Sequence, residues 1–256
     1  MVQNIVGENY KIISNIALQS REIAKGVDIG GAGDQGIMKG YATVETKEYL
    51  PAEYILARDL CKKVFEVYPY DGKTQVTIND GVISTVVVSF QNTRNEDLLL
   101  LVKNSLAEIL PAVILLKTVY LINPAGEWVE GGFDSDTGLS GRKLIIDNYG
   151  PEVPIGGGSF SGKDYTKVDR SGAYMARRIA VDLLESRTAK EVYVKLAYAI
   201  GKPEAVMAVA VVDGKEEAIT GYDLSPKGIR KFLKLDEVKF ADTSLWGHFG
   251  RNFEWR

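Results

Sequence analysis

The sequence predicts an α+β fold of repeated two-layer units, with helices packed on mixed or antiparallel sheets. Two observations carry this. A helix, hairpin, helix, strand order runs through residues 50–122, and the same vocabulary returns from residue 167 onward without an exact sequence repeat. Glycine-rich connectors at 30–40, 131–141 and 156–162 separate the units, and such connectors are where a scaffold carries shared sites.

Residues 50–68 place Ile55, Leu56, Leu60, Val64 and Phe65 on one helical face, and Pro51 suits the first turn. Residues 73–79 and 82–90 flank Asn79-Asp80-Gly81 and read as a hairpin. Asn95 can cap a helix over 96–110 that Pro111 stops, and 117–122 reads as a strand. In the second half a helix is expected over 167–185, strands over 192–200 and 204–212, and a helix opened by Ser225-Pro226.

At 256 residues, 45% hydrophobic and 25% charged, the composition is that of a soluble globular protein and excludes disordered and fibrous classes. A net charge of −3 gives no general attraction to nucleic acid or acidic membrane, so neither is expected as a partner, and any anion site must use locally clustered cations. Cys61 is the only cysteine, which excludes an internal disulfide and a multi-cysteine zinc site and fits a reducing, cytoplasmic setting. The opening residues lack the basic and apolar regions of a secretory signal, and no later apolar run reaches spanning length.

Residues 156–169 pack flexible backbone, lysines and carboxylates just before the 167–185 helix. Exposed N–H groups and a helix start attract anionic oxygens, lysines neutralise them, and carboxylates can hold a divalent cation, so the stretch suits a polyphosphate with its metal. Two other readings stand beside it. Gly157-x-x-x-x-Gly162-Lys163 begins like a P-loop, but Asp164 stands where that loop needs Ser or Thr. Thr166 with Asp169 three residues on also makes a capping box.

Further charge gathers at Asp34, at Asp71-Gly72-Lys73 and at 136–143. With these segments in view, GAGDQGIMKGYATVET, DGKTQVT, DTGLSGRKLIIDNYG, GGGSFSGKDYTKVDRSGAYMAR and WGHFGRNFEW resemble, in order and from about Gln19 to Trp255, the S-adenosylmethionine synthetases (methionine adenosyltransferases). The resemblance implies attack of methionine sulfur on C5′ of ATP, departure of triphosphate and its cleavage to pyrophosphate and phosphate, assisted by magnesium and potassium. It implies a homo-oligomer with its site at the subunit interface. By motif, Lys73, Arg142, Lys143, Lys163 and Lys167 would contact triphosphate or its surroundings, and Asp169 would hold magnesium. Asp71 would accept the ribose hydroxyls, Trp128 would stack on adenine, and Gln19 and Asp136, with Lys167, would bind methionine. Asp34 would lie near the developing sulfonium; turn chemistry beside glycine is the plainer reading of Asp34 and Asp136. His248 reads as structural.

The family's N-terminal Gly-His-Pro-Asp-Lys segment has no counterpart here, because the sequence contains no His-Pro. The expectation is therefore a compact form with one unit truncated: an α+β unit at 31–132, a remnant formed by 1–30 plus 133–172, and a C-terminal unit at 173–256. Gly26-Val27-Asp28-Ile29-Gly30 is short where the family has a longer lid. The alternative is an impaired nucleotide- or S-adenosylmethionine-binding subunit, or a tripolyphosphatase, that needs a partner chain.

Overall fold

The computed structural model describes residues 2–16, 20–21, 30–110, 115 and 117–256. In chain order the elements are α1 (Val2–Val6), β1 (Gly36–Thr43), α2 (Ala52–Val67), β2 (Gly72–Asn79), β3 (Val82–Phe90), α3 (Asn95–Ile109) and β4 (Val119–Ile122). A short 3-10 turn (Gly132–Asp134) and α4 (Leu144–Asp147) precede α5 (Val168–Arg187). Strands β5 (Glu191–Tyr198), β6 (Met207–Val212) and β7 (Lys215–Ala218), then α6 (Pro226–Phe232) and α7 (Phe240–Thr243), complete the chain. This is an α+β fold with one mixed and one antiparallel sheet.

The smaller sheet has the order β2-β3-β4, with β2 antiparallel and β4 parallel to β3. Asp80 and Gly81 have φ of 50° and 74°, so the connection takes the primed turn whose twist matches a hairpin. Leu60 and Val64 of α2 meet Val86 and Val88 of β3 and Leu98, Val102 and Leu106 of α3 in one apolar core. Phe65 departs from the expected face: it stays 41% exposed and meets Trp246 edge-on. Asn95 does not cap α3, because Arg94 holds the N-cap position and the Asn95 side-chain oxygen Oδ1 accepts from Asn123 Nδ2 at 2.9 Å. Pro111 lies outside the described residues.

The larger sheet is antiparallel in the order β1-β5-β6-β7. Strand β1, expected within the 31–132 unit, pairs along its whole length with β5, from Gly36 opposite Tyr198 to Thr43 opposite Glu191. Hydrogen bonding thus places it in the sheet of the C-terminal half, and the expected boundary at 172/173 falls inside α5. Helix α5 lies on this sheet so closely that a Cβ on Gly40 would stand 2.0 Å from the Ala176 carbonyl oxygen. Buried Arg177 staples the helix to the carbonyls of Tyr41, Glu48 and Tyr49. The tail folds back beneath α5, where Trp255 stacks on Tyr174 at 4.0 Å and donates to the His248 carbonyl. No described helix is long and apolar enough to cross a membrane.

Candidate functional site

At the N-terminus of α5 the side chain of Asp169 turns back toward the glycine-rich loop. It is 5% exposed, and its two oxygens accept from the Gly158 N–H at 2.8 Å and from the Lys163 ammonium at 2.6 Å. The capping box does not form: Lys167 holds the N-cap position without a side-chain bond, and Thr166 donates from N and Oγ1 to Asp164 at 2.7 and 2.5 Å. Asp164 also pairs with Lys167 at 3.1 Å. Burial pushes the Asp164 carboxyl up, but the bonds from Thr166 and Lys167 outweigh it and leave it below the ordinary carboxylate range. The loop is tight at its centre, since a Cβ on Gly158 would lie 2.9 Å from Lys163 Nζ.

The second connector is tied to the first by Ser140, whose hydroxyl donates to the Ser161 carbonyl at 3.0 Å. Here Asp136 accepts from the Gly138 N–H at 2.9 Å and from both Arg142 nitrogens at 3.2 and 3.3 Å. The N–H bond first, then Arg142, holds its carboxyl below the usual range. The turn reading of Asp136 is thus realised in this structure alongside an exposed ion pair. Lys143 is exposed at the N-cap position of α4.

The third cluster sits at the open end of the β2–β3 hairpin. Asp71 accepts from the Gly132 N–H at 2.6 Å, Gln91 Nε2 donates to the Val129 carbonyl at 2.8 Å, and the Asn92 N–H donates to the Trp128 carbonyl at 3.0 Å. These bonds lay residues 128–132 across the strand ends and set half-buried Trp128 near Asp71 in the network. Lys73 is exposed two residues on, opposite Ser89.

The sequence-predicted residues therefore form a strip rather than an enclosed pocket. It runs from Asp71 through Gly132 to Asp136 and Arg142, and through Ser140 and Ser161 to Lys163 and Asp169. Among the described residues no hydrogen bond or ion pair joins Asp71 or Lys73 to Lys163, Lys167 or Asp169. Asp34 stands apart and exposed, accepting from the Gln35 N–H at 2.7 Å, as a turn residue does. Gln19 lies outside the described residues. Two clefts, one lined by Arg178, Lys234 and Phe253 and the other by Lys47, Tyr49 and Arg251, contain none of these residues.

Sequence reasoning passes over Gln91, Ser140, Ser161 and Arg170, which hold the connectors in place. The available signal for the last was its position directly after Asp169. His248 is buried, bonded through Nδ1 to the Tyr174 hydroxyl at 2.7 Å, with Nε2 3.4 Å from Ser161 Oγ. Burial first, then the charges of Arg170 and Arg251, push its pKa down to about 4, so the ring is neutral at pH 7.

Two helix-covered sheets with lysine, arginine and aspartate set on glycine-rich connectors make an α+β protein whose loops gather the cations and carboxylates suited to a polyphosphate ligand. The profile of the S-adenosylmethionine synthetase central domain matches residues 29–128, and that of the C-terminal domain matches residues 130–256. The S-adenosylmethionine synthase of Borreliella burgdorferi is 40% identical over 287 residues, covering 97% of this chain and 73% of that one. S-adenosylmethionine synthase 2 of Rhodospirillum rubrum is 40% identical over 277 residues, covering 96% and 71%. The solved structure of an unusual S-adenosylmethionine synthetase from Campylobacter jejuni superposes with a TM-score of 0.79 at 36% identity, covering 89% of this chain and 69% of that one. The chain belongs to the S-adenosylmethionine synthetase family.

Proposed function

We propose that this chain makes S-adenosylmethionine from ATP and methionine, and that its site is completed between copies in a homo-oligomer. The observation that carries the reading is the Lys163–Asp169 pair drawn onto the Gly158 N–H, a cation, a carboxylate and loop backbone joined where a polyphosphate would lie. A thioether already has a lone pair, so no general base is needed. The sulfur forms its bond to C5′ as the C5′–O bond breaks and triphosphate leaves with the electron pair. The protein's task is to align the two atoms and stabilise the departing charge. Lys163, Lys167, Arg142, Lys143 and Lys73 supply that stabilisation. Asp71 and Trp128 hold the nucleoside, and Asp136 and Gln19 the amino-acid end of methionine.

Among the described residues no group of three or more His, Cys, Asp or Glu could hold a metal by itself. One buried carboxylate beside a polyphosphate site does fit magnesium, which characteristically takes one or two carboxylates and completes its shell with substrate phosphates and water. Asp169 would hold it, and the bound ion would neutralise triphosphate oxygens. Nothing in the described residues singles out a potassium site.

A shared site is the reading in keeping with the strip, because among the described residues no hydrogen bond or ion pair joins the Asp71–Lys73 end to the Lys163–Asp169 end. The face of the larger sheet turned away from α5 offers a surface for pairing. On it Lys39 and Lys195 lie directly opposite each other beside Tyr193, whose hydroxyl is buried without a hydrogen-bond partner among the described residues.

Incubation of the purified chain with ATP, methionine, magnesium and potassium tests the proposal. S-adenosylmethionine with equimolar pyrophosphate and phosphate supports it. Phosphate from added tripolyphosphate without S-adenosylmethionine would establish the tripolyphosphatase alternative, and saturable binding with neither product would establish the binding subunit.

A further inference from the structure

Beneath the glycine-rich loop lies an arginine that the chemistry above does not use. Arg170 is 2% exposed, and its Nη1 donates to two carbonyls of the loop, Phe160 at 3.1 Å and Lys163 at 2.6 Å. Nε donates to the Tyr174 hydroxyl at 3.0 Å, and Nη2 to Thr243 Oγ1 at 2.6 Å and the Phe240 carbonyl at 3.5 Å. Its guanidinium carbon sits 3.9 Å from the centroid of the Phe240 ring. No ion pair to a carboxylate is formed by Arg170 among the described residues.

We infer that Arg170 is the positioning residue of this loop, fixing the Phe160–Lys163 turn that aims the Lys163 ammonium and tying that turn to the C-terminal segment. The inference rests on the reading of the loop as the polyphosphate site. A buried guanidinium paired only with carbonyls and hydroxyls is costly to maintain, and a structural tie alone could be made by neutral groups. Its fork does two things that a neutral group does not. Nη1 grips both ends of one turn, where the Lys163 N–H itself donates to the Phe160 carbonyl at 3.2 Å, while Nε and Nη2 hold Tyr174, Thr243 and Phe240, and the group leaves a positive charge under the loop that no carboxylate among the described residues pairs with. A lysine could not replace it, since one ammonium lacks the planar fork that serves several acceptors in different directions. Thr243 carries the coupling to the tail: its hydroxyl accepts from Arg170 and donates to the Phe240 carbonyl at 2.8 Å.

The test compares the full-length wild type with Arg170→Lys and Thr243→Val, using tripolyphosphate binding by calorimetry, kcat, and KM for methionine. Arg170→Lys is expected to weaken tripolyphosphate binding and lower kcat by roughly ten- to a hundred-fold, the loss expected for hydrogen bonds from a charged group. KM for methionine should stay within about two-fold, a split that mere loosening of the fold would not give. Thr243→Val keeps the two loop bonds and should move binding and kcat the same way by about three-fold, a fraction of a typical hydrogen bond. If the wild type itself binds no tripolyphosphate, the functional reading falls and this inference with it. If the wild type binds and a folded Arg170→Lys matches it in binding and kcat, the positioning role is overturned while the functional reading stands. Should Arg170→Lys fail to fold, Thr243→Val decides, and unchanged binding and kcat overturn the inference.

Discussion

Replacing Gly158 by alanine separates the chemistry of the loop from its folding. A Cβ there would lie 2.9 Å from Lys163 Nζ and 3.2 Å from Asp169 Oδ2, inside the 3.4 Å at which ordinary contact begins. The ammonium must therefore retreat by about 0.5 Å (3.4 minus 2.9). A misplacement of about 1 Å can cost about a hundred-fold in rate, so half of that should cost roughly ten-fold in kcat. Stability should barely change. The displaced atom is the end of a flexible side chain, Gly158 is not among the glycines with positive φ, and alanine lowers the entropy of the unfolded chain. A net change below about 1 kcal/mol keeps Tm within about 4 °C for a chain of this size. Gly40→Ala is the control: its Cβ would strike the Ala176 backbone at 2.0 Å and should cost at least the roughly 1–3 kcal/mol of overpacking. Steady-state S-adenosylmethionine formation and calorimetric melting decide the matter. A Gly158→Ala protein with wild-type kcat and wild-type Tm would refute the placement of Lys163 at the reacting phosphates.

Other outcomes follow from the same geometry. Trp128→Ala should raise KM for ATP by roughly ten-fold, the loss of an aromatic contact worth about 1–3 kcal/mol, while kcat changes little; an unchanged KM removes Trp128 from the adenine site. His248 has its pKa lowered from 6.5 to about 4, so above pH 6.5 it is neutral in both folded and unfolded chains and adds no pH dependence. As pH falls from 6.5 toward 4 the unfolded chain takes up a proton that the folded one refuses, and stability drops by about 3 kcal/mol. Urea unfolding between pH 7 and 4 should show that loss, and His248→Gln should have a flatter acid branch; parallel branches would contradict a neutral buried ring.

The locally determined parts of the fold were legible in the sequence. The Asp80-Gly81 hairpin, the long helix α5 and the Ser225 cap of α6, whose hydroxyl accepts from the Gly228 N–H at 3.0 Å, each follow from residues within one turn of each other. The partner of β1 was not legible, because pairing Gly36 with Tyr198 is a tertiary choice that neither strand encodes alone. Strand β7 escaped for a similar reason: Lys215-Glu216-Glu217-Ala218 has no strand propensity and is held by its pairing with β6. The Thr166 and Asp169 spacing fits a helix cap and a loop bridge equally well, and the choice fell to Lys163 and the Gly158 N–H, which outcompete Thr166 for the carboxylate. Arg170 was invisible for a different reason. Arginine is seldom buried, so a charge beside Asp169 reads as solvated until the carbonyls that satisfy it are seen.

The claim that Lys73 and Lys163 of different copies serve one site is tested most directly by complementation. Lys73→Ala and Lys163→Ala chains, each inactive alone, are unfolded together, refolded and assayed for S-adenosylmethionine. With a shared site in a two-fold assembly, half of the dimers are mixed and each carries one intact site of two, so about a quarter of wild-type activity should return. Mixed assemblies that form but stay inactive would contradict the account, because they would show that both lysines must come from the same chain.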